Sequence, residues 1–219
     1  MLPQPQAILF DLDGTLLDTA RDLGNALNAV LRDKKLSEIH YAQYRPIASN
    51  GAKGMLELGF GEVLGEYDFE LLRQQFLEHY QQHICADTVA FEGVEALLAH
   101  LRVKHIPWGV VTNKPANLTA ELVSKFSLFE QCQVVVSGDT LTERKPHPAP
   151  LLHAAELIGI KPEQIWYVGD AERDVQAAKA AGMTSVLAEY GYIQPQDNSS
   201  DWQADFSISH ASELLSHLP

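Results

Sequence analysis

Short apolar runs separated by helical patterns constrain the fold of this 219-residue chain more than any other feature. None of the runs alternates polar with apolar residues, which is typical of β-strands covered on both faces. Strands that alternate with helices form right-handed βαβ units and a parallel sheet. The sequence therefore predicts an α/β fold, with a Rossmann-like parallel sheet flanked by helices. The runs are Ala7–Phe10, Trp108–Val111, Val134–Val136, Ile165–Val168 and Ser185–Ala188, with a weaker one at Asp205–Ile208.

Between these runs, much of the chain carries apolar residues at helical spacing. Apolar residues recur at i, i+3, i+4 and i+7, the period of a helix that buries one face. Gly182 directly follows one such pattern, where a glycine in the left-handed conformation commonly ends a helix. The predicted helices contain Val94–Leu101, Leu151–Ile158 and Val175–Ala181.

The stretch after the first run breaks this rhythm, because no strand signal occurs in residues 17–86. Leu23–Leu31 and Phe69–Tyr80 carry apolar helical stripes, and a glycine-rich turn is predicted at Ser49–Gly54. An insert of this length is too long for a loop. We predict an inserted, small all-helical cap domain at 17–86 and an α/β catalytic core at 1–16 and 87–219. The predicted junctions lie near Leu16–Thr19 and Cys85–Val89.

Composition limits the classes of partner. The formal net charge of −13 repels nucleic acid and anionic lipid, so we expect neither nucleic acid nor membrane as a partner. No apolar stretch approaches the ~20 residues that span a bilayer, and the start of the chain lacks a basic leader. Two cysteines are too few for a disulfide framework. We expect a cytoplasmic location and a monomer or weak dimer.

Carboxylates follow two of the predicted strands. Asp11 and Asp13 end the first run, where Gly14 lets the backbone turn sharply, and Asp170 and Asp174 follow the fourth. The carboxyl ends of parallel strands meet at one edge of a sheet, where ligands bind. Mg²⁺ prefers such oxygen ligands and phosphate. Paired carboxylates repel each other, so we expect either a cation such as Mg²⁺ between them or a proton on one of them. Helix capping explains any single one of these acids.

The same edge receives groups that suit a phosphate. A strand-end hydroxyl and the backbone N–H groups after it can hold phosphate oxygens, which makes Thr112 and Asn113 candidates. Pro146 favours an extended conformation for Lys145. A chain with so many negative charges needs a local cation to bind an anion, and Lys145 is the candidate.

Four motifs in this order resemble those of the haloacid dehalogenase-like hydrolase superfamily. They are Asp11–Thr15, Thr112, Lys145 and Gly169–Asp174. The helical insert resembles the cap of the phosphoglycolate phosphatase-like branch. Within that branch, three segments with Trp202 are similar to bacterial N-acetylmuramic acid 6-phosphate phosphatases. The segments are Val110–Pro115, Lys145–Pro150 and Tyr190–Asn198; Ala171 departs from the polar residue of many relatives.

This resemblance implies a phosphatase that forms an aspartyl-phosphate on Asp11. Asp13 is then the general acid and base, and Lys145 neutralises Asp11 and the phosphoryl group. Mg²⁺ is implied on Asp11, the backbone carbonyl of Asp13, and Asp170. Asp174 is expected to orient Lys145 or a metal-bound water.

The implied substrate is a small phosphate ester of the N-acetylmuramic acid 6-phosphate or 2-phosphoglycolate type. Thr112 and Asn113 are expected to bind its phosphate. From the cap, Asn50, Gly51 and Lys53 are expected to face it, and a contact from Arg45 stays open. Two alternatives stay open as well: a sugar-phosphate mutase of the same fold, and a non-catalytic phosphate-binding protein.

Overall fold

The computed structural model describes residues 4–219, and the first three residues of the predicted core lie outside the described part. A six-stranded parallel sheet forms its centre, in the order β5-β4-β1-β6-β7-β8. The predicted α/β class is confirmed, and each predicted run is a strand. The strands are β1 (Ala7–Phe10), β2 (Leu17–Asp18), β3 (Val89–Ala90), β4 (Trp108–Val111), β5 (Val134–Val136), β6 (Ile165–Gly169), β7 (Thr184–Ala188) and β8 (Phe206–Ile208).

Helices cover both faces of the sheet, which explains the continuous apolar runs. On β1, Ile8 and Phe10 pack into one apolar cluster, whereas Ala7 and Leu9 pack into another on the opposite face. Successive side chains of a strand point to opposite faces, so both sets must be apolar. The helices are α1 (Ala20–Asp33), α2 (Tyr41–Tyr44), α3 (Gly51–Phe60), α4 (Phe69–Gln82), α5 (Val94–Val103), α6 (Ala116–Val123), α7 (Ala149–Ile158) and α8 (Glu172–Ala181).

The three helical patterns of the core coincide with α5, α7 and α8. Gly182 ends α8 with a φ of 74°, as predicted. Because β1 lies between β4 and β6 with Phe10 opposite Val110 and Val168, these three strands end at the same level. The residues that follow them are therefore neighbours at one rim of the sheet.

Residues 17–86, called the cap segment here, are mostly helical. Leu27 of α1 and Phe76 of α4 are fully buried, and α1 packs against both α3 and α4. The division of the chain into two domains stays a prediction. No helix within residues 4–219 is both long enough and apolar enough to cross a lipid bilayer.

Two local predictions for the cap segment are wrong. Leu17–Asp18 is a short strand that pairs antiparallel with Val89–Ala90, where the chain leaves and re-enters the core. A two-residue strand is too short to show a period in the sequence. The predicted turn at Ser49–Gly54 is instead the end of a 3₁₀ helix over Arg45–Asn50 and the first turn of α3. Gly51, with a φ of 60°, makes the change between them.

Candidate active site

The rim at the carboxyl ends of β1, β4 and β6 brings the predicted site residues together. Asp11 directly follows β1, Thr112 follows β4 and Asp170 follows β6. Lys145 reaches the same place from the loop before α7. All four side chains are buried, although three of them carry a formal charge. Buried charges persist in proteins only when they are paired or bind an ion.

The Lys145 ammonium joins two of the carboxylates. Its Nζ lies 3.0 Å from Asp11 Oδ1 and 2.8 Å from Asp174 Oδ1. The Val111 carbonyl, at 2.9 Å, and Tyr167 Oη, at 2.7 Å, are also within hydrogen-bond distance of this Nζ, so four acceptors share the three hydrogens of the ammonium group. The side chain is fully buried, so one cation holds the nucleophile candidate and the acid of α8 in fixed positions.

Asn113 fixes the loop that carries this lysine. Its side-chain amide donates to the Lys145 carbonyl at 2.9 Å and accepts from the Lys145 N–H at 3.1 Å. The Asn113 side chain therefore positions Lys145. The backbone N–H of Asn113 is the group expected to bind a phosphate. Thr112 Oγ1 accepts from the N–H of Lys114 at 3.2 Å, which leaves the hydroxyl hydrogen for another acceptor.

Three carboxylates form the metal-binding candidate. Asp11, Asp170 and Asp174 each offer an oxygen, and these oxygens all lie within 4.8 Å of one another. Asp170 Oδ2 accepts from Ser49 Oγ and from the N–H of Tyr192, both at 2.8 Å. Within residues 4–219 the buried Oδ1 of Asp170 has no hydrogen-bond partner. A hard divalent cation fits this set, because it takes carboxylate oxygens and would satisfy the unpartnered one.

The charges in this cluster shift the pKa values of the acids in different directions. Burial, helped by the charges of Asp174 and Asp11, raises the pKa of Asp170 to about 7. Burial also raises the pKa of Asp11, against the opposing effect of Lys145. For Asp174 the effect of burial is outweighed by Lys145 and Arg173, so its pKa is lowered. Asp174 is thus the acid that stays ionised beside Lys145, while Asp11 and Asp170 lack sufficient positive charge.

Asp174 has a second contact that belongs to the helix. Its Oδ2 accepts from the N–H of Ala171 at 3.0 Å, at the first turn of α8. Asp174 therefore has one contact that belongs to the helix and one that belongs to the site, and its role in the site stays a prediction. Ala171, at the N-cap position, has no side-chain acceptor of its own, so the bond from its N–H to Asp174 is the side-chain contact at this helix end.

Two glycines make room for Asp170. Gly14 has a φ of 84°, and a Cβ built on it would lie 2.1 Å from Asp170 Oδ2. A Cβ on Gly191 would lie 2.2 Å from the Asp170 Cβ. Gly14 is thus required both by the turn and by the close approach of a carboxylate.

Asp13 faces a different set of groups from Asp11. Its Oδ1 accepts from Thr19 Oγ1 at 2.6 Å and from Lys114 Nζ at 3.0 Å. Its carboxylate is not part of the group formed by Asp11, Asp170 and Asp174. The two aspartates of the first motif therefore have different partners: Asp11 pairs with Lys145, and Asp13 pairs with Lys114.

A cavity of about 1000 Å³ opens between this rim and the cap segment. Most of the predicted site residues line it, whereas Asp170 and Asp174 lie behind its wall. Arg45 does not line the cavity. Its guanidinium donates to the carbonyls of Gly191 and Tyr190, both at 3.1 Å, and so joins the cap segment to the core. The predicted residues in the lining are Asp11, Asp13, Asn50, Gly51, Lys53, Thr112, Asn113 and Lys145.

Several residues of the site were not predicted. Arg173 donates to the Ser49 carbonyl at 2.7 Å and thereby fixes the residue whose hydroxyl binds Asp170. Arg173 and Lys114 stand within the motifs, so a search for every cation near a motif acid would have found them. Ser49 and Thr19 carry no such signal, because a lone hydroxyl on a helical segment is ordinary.

Comparisons with known proteins show the family to which this chain is similar. Residues 8–188 match a family model described as haloacid dehalogenase-like hydrolase. The chain is 44% identical over 210 residues to a phosphoglycolate phosphatase of Xanthomonas campestris, covering 96% of this chain and 95% of that one. It is 37% identical over 213 residues to an N-acetylmuramic acid 6-phosphate phosphatase of Pseudomonas aeruginosa, covering 97% and 94%.

A crystal structure from Haemophilus somnus, described as a predicted phosphoglycolate phosphatase, is similar over the whole length. The TM-score is 0.88 at 27% identity, and the match covers 99% of both chains. The likeness therefore extends over both the sheet and the cap segment.

Proposed function

This chain belongs to the haloacid dehalogenase-like hydrolase family and is a phosphoric monoester hydrolase, and from this premise we propose that it works through an aspartyl-phosphate on Asp11. One observation supports this most: the Asp11 carboxylate lines the cavity while Lys145 holds it at 3.0 Å. A carboxylate so held is oriented for attack on a phosphorus atom.

In the first step, the Thr112 hydroxyl and the Asn113 N–H hold phosphate oxygens, and the charge of Lys145 neutralises Asp11 and the phosphoryl group. Asp11 forms a bond to phosphorus as the bond between phosphorus and the ester oxygen breaks. Asp13 gives a proton to that leaving oxygen, a contribution worth about 10²–10⁴ in rate. The alcohol leaves and the phosphoryl group stays on Asp11.

In the second step, Asp13 takes a proton from a water molecule that attacks the phosphorus. The bond between phosphorus and Asp11 breaks, and inorganic phosphate leaves. Both steps use the same two aspartates, so the cycle returns each to its starting protonation state. Closure of the cap segment over the rim would limit access of other water.

Mg²⁺ is the proposed cofactor, held by Asp11, Asp170 and the backbone carbonyl of Asp13. The unpartnered Asp170 oxygen and the shortage of positive charge beside Asp11 and Asp170 support this assignment. The ion supplies positive charge that offsets the charges of the phosphate and the nucleophile. Asp174 holds Lys145 and stays outside the proposed ligand set.

The cavity favours the larger of the two candidate substrates. About 1000 Å³ is at the upper end of the range for pockets that bind molecules of drug size. We therefore favour a phosphorylated acidic sugar of the N-acetylmuramic acid 6-phosphate type over 2-phosphoglycolate. Asn50, Gly51 and Lys53, at the first turn of α3, would contact the part of the substrate remote from the phosphate.

The replacement Asp11→Asn tests the mechanism. It removes the nucleophile but keeps the size of the side chain, so phosphate release should fall to background while the circular dichroism spectrum stays that of the wild type. The assay is a panel of phosphate monoesters, including both candidates, with Mg²⁺ and with EDTA. Substantial turnover in the variant would remove Asp11 from the mechanism.

The same panel separates the alternatives. A sugar-phosphate mutase would yield an isomerised phosphate ester in place of inorganic phosphate, which phosphorus NMR distinguishes. A non-catalytic phosphate-binding protein would release no phosphate from any ester of the panel, in either condition.

A further inference from the structure

A second buried lysine lies beside the site, and the mechanism above gives it no task. The side chain of Lys114 is 5% exposed, and its Nζ is 3.0 Å from Asp13 Oδ1. Burying an ammonium group is costly unless it is paired, so this position needs an explanation. Its partner Asp13 is the proposed general acid and base, so the pairing points to a role in the reaction.

The backbone of Lys114 is fixed by the same strand end that binds the phosphate. Its N–H donates to Thr112 Oγ1 at 3.2 Å, and its carbonyl accepts from the N–H of Gly138 at 2.9 Å. The Thr119 hydroxyl is 3.3 Å from the same carbonyl. The ammonium group therefore extends from an anchored main chain, and its reach to Asp13 is set by the core.

The two oxygens of the Asp13 carboxylate differ in their hydrogen bonds. Lys114 Nζ and Thr19 Oγ1 both donate to Oδ1. No hydrogen bond to Oδ2 occurs in the part of the chain that the structure describes. With one oxygen held on two sides, the carboxylate cannot rotate freely, and Oδ2 is left to exchange a proton with the leaving group in the cavity that Asp13 lines.

Tyr80 of α4 covers the ammonium group from the cap segment. Its ring centre lies 4.4 Å from Lys114 Nζ, a distance at which a cation is attracted to an aromatic face. Burial alone would lower the pKa of Lys114, but Asp13 and Tyr80 raise it, so the group stays charged. The Tyr80 hydroxyl is buried and has no hydrogen-bond partner within residues 4–219, and the ring is the part of Tyr80 that lies over the ammonium group.

We propose that Lys114 is a positioning residue that holds Asp13 Oδ1 so that Oδ2 faces the leaving oxygen, with the Tyr80 ring of the cap segment keeping the ammonium in place. This inference rests on the proposed role of Asp13 as general acid. It predicts that the acid is correctly placed only while α4 is packed over the rim, because the Tyr80 ring that contacts the ammonium belongs to the cap segment.

The test compares two aryl phosphates that differ only in a para nitro group, 4-nitrophenyl phosphate and phenyl phosphate. The nitrophenolate ion leaves easily without a proton, whereas the phenolate ion depends on the acid. The replacement Lys114→Met should reduce kcat/KM for phenyl phosphate at least ~10-fold more than for 4-nitrophenyl phosphate, a part of the ~10²–10⁴ that general acids contribute. This quantity reports the steps up to the departure of the alcohol, whereas kcat also contains the hydrolysis of the aspartyl-phosphate, which is the same for both esters. Lys114→Arg, which keeps the cation, should restore much of the difference.

Matched variants separate this role from a general loss of structure. Lys179→Met removes an exposed lysine of α8 and should change neither rate. Tyr80→Phe keeps the ring and should leave the ratio of the two kcat/KM values unchanged, whereas Tyr80→Leu should shift it in the direction of Lys114→Met. The melting temperature of each variant, measured in parallel, reports whether it folds.

Asp13→Asn makes failure of the two proposals distinguishable. If Asp13→Asn shows the leaving-group dependence and Lys114→Met does not, the positioning role is wrong and the proposed function stands. If Asp13→Asn lowers kcat/KM for both esters by the same factor, Asp13 is not the acid. If Lys114→Met raises KM for both esters equally and spares kcat, the lysine binds substrate and the inference is overturned.

Discussion

At the scale of single residues, the site is a balance of buried charges. Asp11, Asp170 and Asp174 stand within 4.8 Å of one another, and Lys145 contacts two of them. Like charges at this separation destabilise the ionised forms unless a cation is present. Lys145 therefore contributes to stability as well as to the proposed chemistry.

The replacement Lys145→Met tests this balance. Removing one partner of a buried ion pair leaves uncompensated charge, so we expect the free energy of unfolding to fall by roughly 3–5 kcal/mol. Phosphate release should be lost as well. Urea unfolding without Mg²⁺ measures the change. Lys161→Met, at an exposed position, is the control and should have little effect. Unchanged stability of Lys145→Met would mean that the acids are neutral without the lysine.

At the scale of elements, the connections between cap segment and core depend on side-chain acceptors. Asp22 of α1 is buried and accepts from the N–H groups of Asp87 and Thr88, at 2.9 and 3.1 Å, and from the Thr88 hydroxyl at 2.5 Å. It thus joins the first helix of the cap segment to the strand by which the chain returns to the core. The short β2–β3 pairing alone could not fix these two crossings.

We expect Asp22→Ala to lower the free energy of unfolding by about 1–3 kcal/mol, because a buried N–H of Thr88 loses its acceptor. The rate with a sugar-sized substrate should also fall, since α1 carries part of the cavity wall. Asp22→Asn keeps one acceptor oxygen and should lose less. Thermal unfolding and steady-state kinetics measure the two effects. Equal losses in both variants would show that the negative charge, not the hydrogen bonds, matters.

The loop after β7 forms the second connection between the two parts. Tyr192 Oη accepts from the N–H groups of Thr19 and Ala20, at 2.7 and 3.0 Å, while its own N–H binds Asp170. One residue therefore touches both the start of the cap segment and a proposed metal ligand. Arg45 and Arg173 add contacts to the same region from the two sides.

At the scale of the whole molecule, a net charge of −13 opposes the binding of an anionic substrate. Lys114 and Lys145, both buried beside the cavity, oppose this locally, but Asp11, Asp170 and Asp174 stand at the same rim and leave positive charge in short supply. A bound divalent cation would add positive charge there. The protein should therefore be more stable with magnesium than without it.

A thermal shift measures this directly. At 100 times its dissociation constant, a ligand that binds only the folded state adds about 2.7 kcal/mol, which corresponds to roughly 5–10 °C in Tm for a chain of this size. NaCl at matched ionic strength is the control for general screening of charge. Asp170→Asn should abolish the specific part of the shift. An equal shift in wild type and variant would place the ion elsewhere.

Much of this fold follows from local sequence. The apolar runs of β1, β4 and β6 determined a parallel sheet covered on both faces, because only such strands are apolar on both sides. Strand order along the chain then placed Asp11, Thr112 and Asp170 at one rim, since all three directly follow strands that run in the same direction. Lys145 was predicted from the charge requirement of the same rim.

The tertiary structure alone decided which partner each of these groups has. Lys114 and Tyr80 come together only when the cap segment packs on the core, and Ser49 reaches Asp170 across 121 residues of sequence. Periodicity reports the face that a helix buries, but it carries no information about which distant side chain will lie opposite. The acids of the site were therefore readable from the sequence, and the contacts that orient them were not.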